Sequence, residues 1–146
     1  MNYSYLNIIN QLKRNSVAFI SVIIAVSSLS YNTWRNEKTE DNRNQRFAAF
    51  EVLLKLGELQ QVVFHSHYDG DDDGNWNPRA GWTYVLTIRD LSRVSGEVMS
   101  AEANKLYSVW QDNWQHLGKE QQHVDTITAG IDQMRDTTVS IITSLQ

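Results

Sequence analysis

The chain has 146 residues, 41% of them hydrophobic and 21% charged, with one proline and no cysteine, which is enough for one domain and a short appendage. Without cysteine there is no disulfide framework, thiol nucleophile or thiolate metal site, and this fits either side of a membrane. The formal charge of -4 is unlike that of a nucleic-acid binder, which concentrates Lys and Arg on one face, so nucleic acid is not an expected partner.

At the start, Tyr5, Ile8, Ile9 and Leu12 recur at i, i+3, i+4 and i+7. A helix over residues 1–14 would lay that stripe in a membrane interface beside Lys13 and Arg14, and a short unstructured tail accounts for the same residues. Residues 15–34 carry no charge. At about 1.5 Å per residue they cover roughly 30 Å, the thickness of a hydrocarbon core. Val17 to Val26 and Leu29 form the apolar part, Ser27, Ser28, Ser30 and Asn32 weaken its C-terminal half, and Tyr31 and Trp34 stand where interfacial aromatics anchor a span. This pattern predicts a single transmembrane helix with the lipid bilayer as partner. Two other readings use the same residues: a cleaved signal peptide, because Ala25-Val26-Ser27 has the small-x-small pattern, and a buried core helix of a soluble protein. Arg35, Lys38, Arg43 and Arg46 outnumber Lys13 and Arg14, so the positive-inside rule leans the C-terminal domain toward the cytoplasm, while long domains translocate largely regardless of charge.

Residues 35–46, RNEKTEDNRNQR, have almost no apolar side chains and predict a solvated stalk, with Glu40 and Arg43 spaced to pair and enough asparagine to act as a hinge. No proline or glycine occurs from Met1 to Leu56, so nothing in the backbone forces a break. From residue 47 the helical period returns. Ala49, Val52, Leu56, Leu59 and Val63 share one face, widened by Phe50, Leu53 and Phe64, and the helix should end near Tyr68. Trp82 to Val94 is apolar around most of its circumference and should be the most buried helix, starting at Asn77-Pro78 and ending at Ser95-Gly96. Met99, Ala103, Leu106, Trp110, Trp114 and Leu117 form the next stripe, closed by Gly118. Val124, Ile127, Ile131, Met134, Thr138, Ile141 and Leu145 form the last and most regular one, which also invites a homodimer through this helix. The expected fold is all-α: a single N-terminal transmembrane helix followed by an antiparallel four-helix bundle over residues 47–146.

Residues 35–68 hold five basic and five acidic side chains, and residues 69–146 hold six and twelve, so the distal surface is acidic and repelled by anionic lipid and nucleic acid alike. Asp69, Asp71, Asp73 and Gly74 reproduce positions 1, 3, 5 and 6 of an EF-hand loop, which makes these three aspartates candidate Ca²⁺ ligands. Ala80 stands where a bidentate glutamate is required and Pro78 interrupts the loop, so a plain solvated turn explains the same residues. His65 and His67 point about 200° apart on a helix and share no metal there. His116 and His123 flank Gly118 as helix-end histidines. Tyr107, Trp110 and Trp114 lie on an apolar stripe and read as core, whereas Trp76 sits in the polar loop without a periodic partner and is the candidate anchor for a protein partner. No nucleophile elbow, zinc-protease motif, P-loop or dinucleotide fingerprint occurs, so neither a catalytic role nor a cofactor is expected.

Tyr31-Asn-Thr-Trp-Arg-Asn-Glu37, Asn42-Arg-Asn44 to Phe50-Glu51, Glu58-Leu-Gln60, Asn77-Pro-Arg79, Gly81-Trp82 and Asp90-Leu91 resemble small bacterial single-pass membrane proteins of no assigned function. The resemblance covers about half the chain and implies a helical domain anchored in a bacterial inner membrane, without implying an activity. From the residues alone, Arg79, Arg89 and Asp90 near Trp82 are a candidate polar set at the loop end of the bundle. The functional expectation is a membrane-anchored interaction or structural module; a Ca²⁺-responsive sensor acting through Asp69 to Gly74 is the alternative.

Overall fold

A computed structural model describes the backbone of residues 3–69 and 77–145 and the side chains of Gln11, residues 14–68 and residues 77–145. The protein is all-α: among the described residues it has four α-helices and no strand. It divides into two compact units, Met1–Asp41 and Asn42–Gln146.

Helix α1 spans Tyr3–Phe64, 62 residues, and ends in a π-helical turn, His65–Asp69. The residues of the expected span, the stalk and the first helix of the domain therefore belong to one helix, with the stalk helical rather than a hinge. The absence of glycine and proline over the first 56 residues is the physical reason: composition changes along this stretch, but no residue removes a backbone hydrogen bond. The stalk asparagines cost little enough helix propensity that the helix runs through them.

Helix α2, Pro78–Val94, starts as the sequence predicts. Asn77 is its N-cap, with Oδ1 accepting from the Arg79 amide at 2.9 Å, and Pro78 occupies the first turn, where its missing amide is no loss. Two residues, Ser95 and Gly96, separate it from α3, Glu97–Asn113. Ser95 Oγ donates to the Gln45 carbonyl of α1 at 3.5 Å. A 3₁₀ turn, Trp114–His116, closes α3, so Trp114 falls beyond the helix whose stripe it was expected to continue. Helix α4 is Gln121–Ser144.

All four helices contribute to one core. Ala49, Val52, Leu56, Leu59 and Val63 of α1 meet Val85 and Ile88 of α2, Met99, Ala103, Leu106 and Trp110 of α3, and Val124, Ile127, Ile131 and Met134 of α4. Each full burial of a Val, Leu, Ile or Met side chain among these stabilises the fold by about 1.5–3 kcal/mol. Two polar residues inside are satisfied locally: Ser92 Oγ donates to the Ile88 carbonyl and Thr138 Oγ1 to the Met134 carbonyl, both at 2.7 Å.

Two expectations about burial fail. Helix α2 is not the most buried helix: its core face is Gly81, Val85, Ile88 and Ser92, while Leu86 and Val94 are exposed. A count of apolar residues overlooks a face on which glycine and serine are the residues that fit. Phe50 and Phe64 do not widen the buried stripe of α1 but are exposed, together with Phe47 and Leu54.

Candidate functional site

The first candidate surface is the span itself. Every large hydrophobic residue from Val17 to Leu29 is 56–73% exposed, whereas the core residues of α1 further along, such as Val52 and Leu56, are at 0%. Among the described residues one helix is long and apolar enough to cross a membrane, with a mean hydropathy of 1.5 in its most apolar window and none of that window buried. The hydroxyls inside it are compatible with hydrocarbon. Ser21 Oγ donates to the Val17 carbonyl at 2.8 Å and Thr33 Oγ1 to the Leu29 carbonyl at 3.0 Å, so these donors are satisfied within the helix. Tyr31 and Trp34 pack with ring centroids 6.1 Å apart, and Lys38 Nζ lies 5.5 Å from the Trp34 ring. Two aromatics followed one turn later by a lysine stand at the C-terminal end of the apolar run, the residue types that an interfacial belt uses.

The second candidate region is the distal end of the domain, where the π-helical turn meets the connection between α3 and α4. His67 Nε2 and Gln121 Oε1 are 2.9 Å apart, and Gln121 Nε2 donates to Asp125 Oδ1 at 2.8 Å. Gly118 has φ +86° and lies against the Ser66 carbonyl, 2.7 Å from where its Cβ would stand, so both the backbone conformation and the space require glycine. His116 and His123 stack with centroids 4.7 Å apart, and His123 Nδ1 lies 2.6 Å from Asn113 Oδ1. The sequence expectation of helix-end histidines holds for this pair. Among the described residues no group of three or more histidine or acidic side chains is arranged to hold a metal ion.

The acidic loop gives no geometry to weigh. Asp71, Asp73, Gly74 and Trp76 lie outside the described residues, as does the side chain of Asp69. The candidate Ca²⁺ ligands and the candidate partner anchor accordingly stay expectations.

The polar set near Trp82 does not assemble. Arg79 is exposed in the first turn of α2, and Asp90 lies eleven residues later, about 16 Å along the helix, 3.6 Å from Arg93. Arg89 instead lies over the Tyr107 ring, 4.5 Å from its centroid. Trp82 packs edge-on against Tyr107 and Trp114, at 5.5 and 6.2 Å. The three tryptophans therefore differ in role: Trp110 is core, and Trp82 and Trp114 close the side of the core next to Arg89. A shallow groove of about 290 Å³ between α3 and α4 is lined by Glu102, Lys105, Val109, Thr126, Ala129 and Gln133 among others. Its carboxylate is already paired with Lys105 at 2.9 Å.

Comparison with protein-family models, curated proteins and solved structures finds no match to the chain. Its function therefore rests on its own residues. What the sequence reading missed is the exposed aromatic stripe of α1. Residues 47, 50, 54 and 64 follow a regular 3–4 spacing through 57 and 61, displaced from the buried stripe, and this second period was the available signal.

Proposed function

We propose that the chain is a membrane-anchored helical interaction module. One observation carries this reading: the large apolar residues from Val17 to Leu29 are all exposed, whereas Ala49, Val52, Leu56, Leu59 and Val63 further along the same helix are fully buried. An exposed apolar surface of that length is costly in water and favourable in hydrocarbon. The domain that follows has the composition of a docking body, with an acidic distal surface.

Further features of the proposal follow from the same residues. The domain is an antiparallel bundle, supported by the two-residue link between α2 and α3, two helices of 17 residues each that share the core. The anchor is a single pass in a bacterial inner membrane, in keeping with the resemblance drawn from the sequence. The C-terminal domain faces the cytoplasm, in keeping with four basic residues after the span against two before it.

Fractionation tests the reading. The full chain stays with membranes in alkaline carbonate and is released by detergent. Release by carbonate alone would overturn the anchor. Alkaline phosphatase and fluorescent-protein fusions at the C-terminus test the orientation: a fluorescent, phosphatase-negative pair supports it and the reverse refutes it.

A further inference from the structure

We propose that α1 carries a second seam, made of Phe47, Phe50, Leu54, Gly57, Gln61 and Phe64, through which the chain pairs in parallel with a second copy of itself. These six residues are spaced 3, 4, 3, 4 and 3, the a and d positions of a heptad, and all are exposed. The residues of α1 that enter the core, such as Ala49, Val52, Leu56 and Leu59, fall at c and f positions on the far side of the helix. The helix thus presents one apolar stripe to its own domain and another outward. Helix α4, whose regular stripe invites the same use, buries Val124, Ile127, Ile131 and Met134 in the chain's own core, so α1 is the helix with a free seam.

Size, shape and charge point to a second copy as the occupant. Phe47, Phe50 and Leu54 are 67%, 54% and 61% exposed. With about 200 Å² for a ring side chain, the aromatic rings of the seam alone bare roughly 300 Å² per copy, close to the largest patch a monomer keeps. The stripe runs about 26 Å and is matched in length by the same stripe on another copy. At its middle, a Cβ on Gly57 would meet nothing within 4 Å, so a partner helix can approach closely there. Parallel pairing brings Arg46, at a g position, beside Glu51 of the second copy, at an e position, and the two-fold axis makes this contact twice. Antiparallel pairing sets Glu51 against Glu58 instead, two like charges. The seam is smaller than the roughly 800 Å² per partner of a stable soluble dimer. Confinement to a membrane supplies the effective concentration that a marginal interface needs.

This deepens the proposed interaction role by naming the partner; its membrane-dependent part rests on that reading, whereas the seam does not. The test uses the full chain, which has no cysteine of its own. Gln61→Cys and Asp132→Cys chains are oxidised with copper phenanthroline in whichever fraction they occupy and separated without reductant. A disulfide-linked dimer is expected for Gln61→Cys and none for Asp132→Cys on α4. Adding Leu54→Glu, an exposed position, to Gln61→Cys abolishes the dimer while the helical circular dichroism stays unchanged. Adding Arg46→Glu weakens it, and adding Glu51→Arg to that chain restores it. Equal crosslinking at residues 61 and 132, no crosslinking at 61, or a dimer that forms only between Phe50→Cys and Gln61→Cys chains overturns the proposal. Carbonate extraction of the same preparations is read separately: release from the membrane overturns the anchor and leaves the crosslinking result standing.

Discussion

The indole of Trp110 occupies the space where a side chain at Gly81 would stand. A Cβ built on Gly81 overlaps Cζ2 and Cη2 of Trp110, the largest fully buried side chain of the core. The pair sets how closely α2 and α3 pack, with the flat face of α2 receiving the ring.

Gly81→Ala is therefore expected to destabilise the domain. Overpacking against a rigid ring costs about 1–3 kcal/mol, offset by roughly 1 kcal/mol of improved helix propensity. The net effect is a loss of up to about 2 kcal/mol, measured as a lower denaturation midpoint of the detergent-solubilised chain. A variant more stable than the parent would show that α2 and α3 separate freely at this point.

Gly130→Ala is expected to do the opposite. A Cβ at Gly130, in the middle of α4, meets Val109 Cγ1 at 3.4 Å and Leu106 Cδ1 at 3.5 Å, which is ordinary contact. Relief of glycine's helix penalty then stabilises the domain by about 0.5–1 kcal/mol. The same denaturation measurement checks it, and the contrast between the two glycines separates packing from propensity.

Which parts of this fold were legible follows from what each residue type reveals. Met99, Ala103, Leu106 and Trp110, and likewise Val124, Ile127, Ile131 and Met134, were readable because large apolar side chains at 3–4 spacing have one buried solution in this chain. Asn77-Pro78 was readable because a cap and a proline have specific backbone roles. Gly81 and Ser92 were not, since a small residue on a core face looks in sequence like a polar gap. Phe50 and Phe64 misled for the converse reason: an aromatic carries the same hydrophobic signal whether its stripe faces its own core or outward. The continuity of α1 was legible as one reading in the missing glycines and prolines, while the asparagine-rich change in composition at residue 35 left a hinge as the other. Of the candidate sites, a helix long and apolar enough to cross a membrane was legible from its length and lack of charge, whereas Arg79, Arg89 and Asp90 were grouped by sequence proximity, which helix geometry does not honour over eleven residues.

Lys55 links α1 to its surroundings electrostatically. Its Nζ is 2.8 Å from Glu58 Oε2 and 5.8 Å from the Tyr84 ring of α2. The hydrogen bond to Glu58 raises its pKa above the usual 10.5, against a smaller opposing effect of burial. A raised lysine pKa means stability that is fully present below 10.5 and lost as pH rises through the folded value. Lys55→Met is thus expected to cost no more than about 1 kcal/mol, as for a partly exposed pair. The cost stays constant from pH 7 to 9 and shrinks above pH 10.5. Denaturation curves of both chains across that range check the sign, and a gap that widens with pH would contradict it.

Removing residues 1–34 is expected to leave a soluble, helical domain that melts cooperatively. The buried hydrophobic residues run from Ala48 to Met134 and belong to the unit Asn42–Gln146, so the deletion removes none of them. What it removes is the exposed apolar run from Val17 to Leu29, with Tyr31 and Trp34, a surface that water disfavours. Residues 35–41 remain as a charged start to α1, where fraying costs little. The core is built from the part of α1 that belongs to this unit and from α2, α3 and α4, so the deleted segment supplies none of its side chains. Circular dichroism and sedimentation of the fragment decide the matter: little helix, or aggregation without a melting transition, would mean that the anchor is needed to form the core.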